Sequence, residues 1–197
     1  MNTLKKIAGT TALVFFSTAA LQGYADDAIS LDDFVEEATS KGITIIENSR
    51  LALEKSGNTE VKAFASQLID HHSKSNQKLA ELAGSKNIDV ADNATLLNRI
   101  KTTLLKARTE GSFDPSNAQN QVTVHEQTIT LYQQAAHGSD ADIKKFAEKS
   151  LPKLQDHLEE ARKLAAKTEQ QYRNSTEYQD ITPSTNPHPS PAVPANR

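Results

Sequence analysis

The chain has 197 residues, 37% hydrophobic and 24% charged, with a net charge of −3, no cysteine and no tryptophan. Without cysteine there is no disulfide, no iron–sulfur cluster, no thiolate zinc site and no cysteine nucleophile. Aromatic residues make up only 5% and acids and bases are interleaved, so neither a base-stacking platform nor a basic patch for nucleic acid stands out.

The first 25 residues read as a secretory signal peptide. Lys5 and Lys6 precede an apolar run from Ile7 to Leu21, and Gly23 and Ala25 supply the small residues of a cleavage site. The run is short for a transmembrane helix, and no second apolar segment is long enough to span a membrane. Loss of the two lysines leaves 20 basic and 25 acidic residues, a charge of −5.

Residues 30–171 read as one all-α domain. Gly57, Gly84, Gly111 and Gly138 fall at even spacing after helix-like runs, where glycine at positive φ commonly stops a helix. Ser30, Asn58 and Ser139 stand at helix starts, and Asp114 precedes Pro115. These signals predict long helices over 31–56, 59–83, 115–137 and 140–171, with a shorter one from Ala94 to Thr109 in the long connection between the second and third. No segment shows the two-residue period of a strand. Tight turns at Gly57 and Gly138 make two antiparallel hairpins. The long middle connection points to a ferritin-like four-helix bundle, with simple up-down-up-down connectivity as the alternative. Residues 172–197, with five prolines after Tyr178, read as a disordered tail.

A wheel at 100° per residue places the histidines. On the second helix, Val61, Ala65, Leu68, His72, Leu79 and Ala83 share a stripe. His72 is central, and His71 falls to the edge and reads as exposed. On the third, Ala118, Val122, His125, Ile129, Tyr132 and Ala136 align. On the fourth, Ile143, Phe146, Ala147, Ser150, Leu154, His157, Ala161 and Leu164 align. The first helix offers Phe34, Val35, Ala38, Gly42, Ile45, Ile46, Ser49 and Leu53, with Ser49 its only polar inward group. Gly42 on that apolar face permits close approach of a neighbour. Pro152 should kink the fourth helix or free the carbonyl of Glu148.

From the helix starts, the three inward histidines lie within about 10 Å of one another in height. That permits a tri-histidine site for Zn, Cu or Fe, with Glu126 or Glu160 as an added carboxylate. The competing reading is a set of core histidines bonded to each other, to Tyr132, or to backbone and water. A di-iron centre needs Glu-x-x-His on two helices. The residues three before His72, His125 and His157 are Ile69, Val122 and Leu154, so that motif is absent.

The blocks "FVEEA", "RLALEKSGNTEVKAFASQLIDHH", "HEQTITLYQQAA" and "FAEKSLPKLQDHLEEA" resemble the bacterial domain-of-unknown-function 4142 family over roughly residues 30 to 166. The resemblance implies a ferritin-like bundle in an exported protein, often one labelled as outer-membrane. It also implies that His72, His125 and His157 correspond to the family's recurrent histidines, and that the family's acidic residue in the first helix aligns with Ile45. The family carries no established reaction. With no catalytic motif, the sequence reads first as a non-enzymatic periplasmic bundle with a protein or envelope partner and an envelope or stress role. The alternative is a periplasmic metal-binding or redox protein built on the three histidines.

Overall fold

The computed structural model describes residues 29–88 and 113–176. The shorter helix expected at 94–109, the amino-terminal leader and the tail beyond residue 176 lie outside the described residues; the tail's first expected residues, Tyr172 and Arg173, instead belong to the last helix. Four helices are present: α1 Leu31–Lys55, α2 Thr59–Ser85, α3 Phe113–Ala136 and α4 Ala141–Arg173. Among the described residues there is no strand, and no helix is long and apolar enough to cross a membrane.

Local chemistry sets most helix ends. Ser30 Oγ accepts from the Asp33 amide, and Asn58 Oδ1 accepts from the amides of Glu60 and Val61. Each satisfies first-turn donors that have no partner within the helix. Three expectations are corrected. The cap of α4 is Asp140 rather than Ser139; its carboxylate takes the Asp142 and Ile143 amides while also binding Lys86 across the α2 end. Helix α3 is already helical at Phe113, so Asp114 lies in its first turn instead of capping it. No described glycine has positive φ. Gly84 stays within α2, and Asn87 takes the left-handed conformation at φ 56°. The Ile88 amide bonds Ala83 O and the Asn87 amide bonds Gly84 O, the paired reverse bonds of a Schellman stop. Asparagine is the residue after glycine that best tolerates this backbone.

Helix α1 packs on α2 and α3, and α4 packs on α3 and α2. The cross-contacts fix the directions. Asn117 and Gln121 of α3 bond Asn48 and Ser49 of α1, whereas Gln127 bonds Lys41. Between α2 and α4 the pairs run from Glu60–Lys167 through Gln67–Glu160 to Lys86–Asp140. Taken from one end to the other, numbers rise on one helix as they fall on its partner (Asn117–Asn48 to Gln127–Lys41, and Glu60–Lys167 to Lys86–Asp140), so each pair is antiparallel. With α3 and α4 an antiparallel hairpin, α2 and α3 are parallel and diagonal. The end of α2 and the start of α3 therefore lie at opposite ends of the bundle, about 40 Å apart by the length of α2's 27 residues, and the connection between them is a long one. This single long crossover is the ferritin-like arrangement, and it excludes simple up-down-up-down connectivity.

The core is two apolar clusters. One gathers Ile45, Phe64, Leu68, Phe113, Val122 and Leu164. The other gathers Phe34, Leu79, Ile129, Tyr132, Ile143 and Leu154, with Phe34 edge-on to Tyr132 at 5.2 Å. Along every helix but α1 the passage from one cluster to the other runs through a histidine. On α1 it runs past Gly42, where an added Cβ would overlap the Asn76 amide; the expected close approach is that of a side chain. The wheel for α1 needs two changes. Leu53 is exposed and Ala52 is buried in its place, and Thr39 and Asn48 join Ser49 as buried polar groups. Helix α4 continues without interruption through Pro152, which faces outward.

Candidate metal centre

His72, His125 and His157 meet in the layer between the two apolar clusters. Their rings form a near-equilateral triangle with centroids 5.4, 5.4 and 5.5 Å apart. They are 5%, 0% and 1% exposed. One ring nitrogen from each lies within 4.8 Å of the other two. An ion at the centre of such a triangle stands at most about 2.8 Å from each nitrogen, against 2.0–2.1 Å for a zinc–imidazole bond. Side-chain rotations that move each nitrogen by under about 1 Å bring the set to bonding distance.

Hydrogen bonding decides which nitrogens face inward as lone pairs. His125 Nδ1 lies 2.8 Å from the carbonyl oxygen of Gln121, one turn earlier on α3. A carbonyl only accepts, so Nδ1 carries the proton and donates it. In the neutral ring Nε2 is then a bare lone pair. Gln121 is held in turn, its side-chain amide donating to Ser49 Oγ of α1 at 3.2 Å. His125 Nε2, His72 Nε2 and His157 Nδ1 are buried and have no hydrogen-bond partner among the described residues. The competing core-histidine reading is met in part, by the bonds of His125 to backbone and of His157 to His71, but it leaves one nitrogen on each of the three rings without a partner among the described residues. A buried polar atom without a partner costs about 1–3 kcal/mol, and three occur here within one small space.

The surroundings keep these rings neutral. Burial pushes the His125 imidazole down to about 4 and the His157 imidazole to about 3, and moves His72 well below the usual range. Neighbouring histidines add to the shift at His72 and His157, because a charge on one ring opposes a charge on the next. Neutral imidazole is the form that binds a metal.

His71 is a fourth member that the wheel misassigned. It is half-buried, its ring stacks on His157 at 5.0 Å, and its Nδ1 lies 2.8 Å from His157 Nε2. Adjacent helical residues point about 100° apart, so His71 leaves the bundle axis but lands on the neighbouring α4. If His157 Nδ1 serves as a ligand, its Nε2 carries the proton and donates it to His71 Nδ1. Such an outer bond fixes ring orientation and tautomer. The signal in the sequence was a polar residue at the edge of a stripe; choosing it required knowing which helix stood alongside. Gln121 was missed for a similar reason, since the expected α3 face was too narrow to include it.

The two carboxylates do not join the cluster. Glu126 follows His125 by one residue, points outward and binds Arg162 at 2.7 Å. Glu160 is exposed and accepts from Gln67 at 3.1 Å. Ile45 is fully buried in the first apolar cluster, so α1 places no acid there. The centre is therefore three neutral nitrogens, a set that suits Zn²⁺ or Cu²⁺ better than the histidine–carboxylate triad of non-haem iron.

No curated protein and no solved structure matches the sequence. The family described as Domain of unknown function (DUF4142) matches residues 17–164, a span that contains all three histidines and both hairpins. The chain belongs to the DUF4142 family.

Proposed function

We propose that this is an exported, periplasmic helical-bundle protein that binds a transition-metal ion, Zn²⁺ or Cu²⁺, through His72, His125 and His157. The observation that carries the metal reading is the convergence of three buried, unpartnered ring nitrogens from three different helices. A structural core has no use for three orphaned imidazole nitrogens, and one ion satisfies them all. Export is supported by the Lys5–Lys6, apolar-run and Gly23–Ala25 pattern, with association to the outer membrane a part of the same proposal. A non-enzymatic role is supported by the lack of a nucleophile–base pair or carboxylate at the centre.

Titration of the untagged protein with Zn²⁺ and Cu²⁺ by calorimetry, beside a His72/His125/His157→Ala triple variant, tests the metal reading. One equivalent bound by the wild type and none by the variant is the expected result. No binding by the wild type, or equal binding by both, removes the proposal. Separately, a periplasmic fraction free of the protein in cells expressing the full chain would overturn the export reading.

A further inference from the structure

The tri-histidine centre is buried, but one side of it borders a cavity. A cavity of about 300 Å³ lies between α2 and α4 and reaches His72 and His157, while His125 stays behind them at 0% exposure. Its walls are apolar at Phe146 and Leu154 and polar at Ser75 and Ser150. Its rim carries four lysines: Lys74 and Lys78 from α2, Lys149 and Lys153 from α4. Lys74 is paired with Asp70 and Lys153 with Asp156. Lys78 and Lys149 are exposed and have no acidic partner among the described residues. No carboxylate lines the cavity.

Charge accounting points to what enters. Three neutral imidazoles leave the charge of a divalent ion uncompensated by protein, so the fourth position favours an anion, either hydroxide from a bound water or an incoming ligand. The protein supplies none at the site. The route from solvent is instead lined with cations, and a cleft of one sign concentrates the opposite one. The space exceeds what water or a halide needs and falls at the lower end for small-molecule sites.

Resting on the metal reading above, we propose that the α2–α4 cavity binds a small organic carboxylate. One carboxylate oxygen occupies the fourth metal position, the apolar body lies against Phe146 and Leu154, and Lys78 and Lys149 select for the negative charge. No bond of the ligand is made or broken; the acid replaces a metal-bound water. His72 and His157 of the centre line the cavity together with His71, and the lysines stand on the same lining, so a ligand held there lies between the centre and the cations.

Cobalt substitution tests this with the metal reading kept separate. Co²⁺ is titrated into the untagged protein, and its visible d–d bands report the coordination shell. Benzoate is then added, with benzyl alcohol as the neutral counterpart and azide as the small-anion counterpart. The expected result is a saturable change in the bands with benzoate and none with benzyl alcohol. Apparent affinity should fall about tenfold in the Lys78→Met/Lys149→Met variant and decline with added salt. Bound cobalt whose bands respond to neither benzoate nor azide means a closed fourth position, and overturns the proposal while leaving the metal site standing. A response to azide alone overturns the organic-acid assignment, and a benzoate affinity unchanged in the lysine variant overturns the role of the rim. Failure to bind cobalt, zinc or copper at all removes the metal reading and this proposal with it.

Discussion

The two hairpins meet along two faces of the bundle, and the faces are built differently. Between α1 and α3, beside the exposed Lys41–Gln127 pair, two contacts are buried amides. Asn117 Nδ2 donates to the Asn48 carbonyl and Gln121 Nε2 to Ser49 Oγ, both out of solvent. Between α2 and α4 the helices pack less closely. One link is the half-buried His71 to His157, other ties are exposed pairs such as Gln67–Glu160 and Glu60–Lys167, and the cavity opens between them. The sealed face orients His125 through Gln121 and gives the centre a fixed wall. The open face gives it access. The tautomer of His125 is set on the sealed side by the Gln121 carbonyl, and the orientation of His157 on the open side by the half-buried His71.

The largest test of this division removes the ligand on the sealed side. His125→Ala should weaken zinc binding by more than about 100-fold, since no described residue can replace that nitrogen and even outer-layer partners contribute 10–100-fold. Competition with a chromogenic chelator reads it, with circular dichroism to verify the helices. An affinity within tenfold of wild type would mean the open side alone holds the ion.

Acid should separate the metal-free and metal-bound forms. Unfolded imidazoles take protons near pH 6.5, whereas in the native state His157 and His125 stay neutral to about 3 and about 4. Between those values the unfolded chain binds more protons, so stability is complete above about pH 6.5 and is lost as the pH falls toward the native values. His125 by itself contributes a loss on the order of 3 kcal/mol. Urea midpoints of the metal-free protein should drop between pH 7 and 4.5, and zinc should restore them in part at pH 6. Midpoints independent of pH would show that the rings charge freely in the native state.

Next comes the outer bond on the open side. His71→Phe keeps a ring against His157 but removes the acceptor for Nε2, and zinc affinity should fall about tenfold. An unchanged affinity would make the stacked pair a packing contact only. The smallest effect belongs to the sealed face away from the rings. Asn117→Ala removes the bond to Asn48 O and should lower stability by about 1 kcal/mol with metal affinity unaltered. Thermal melts and the same chelator assay measure both. If Asn117→Ala disturbed the metal more than His71→Phe did, the roles of the two faces would be reversed.

Much of this architecture was legible from local pattern. The α2 stripe from Val61 to Ala83 is buried as the wheel places it, and both ends of each of the four long helices lie within two residues of their predicted places. Helix periodicity carries such information because burial of one face repeats with the turn. Local stop chemistry was read less well, as Gly84 and Asn87 show: the glycine was in place, and the asparagine one turn later took the strained backbone instead.

What one sequence determined here was that three histidines point inward on three helices at comparable heights, since facing and rise depend only on spacing along a helix. Tertiary structure alone decided which helices are neighbours. That choice brought His71 onto His157, turned Glu126 and Glu160 to surface partners, set Gln121 between His125 and Ser49, and left the α2–α4 side open. Each of these depends on the relative placement of helices far apart in the chain, which no periodicity within a single helix encodes.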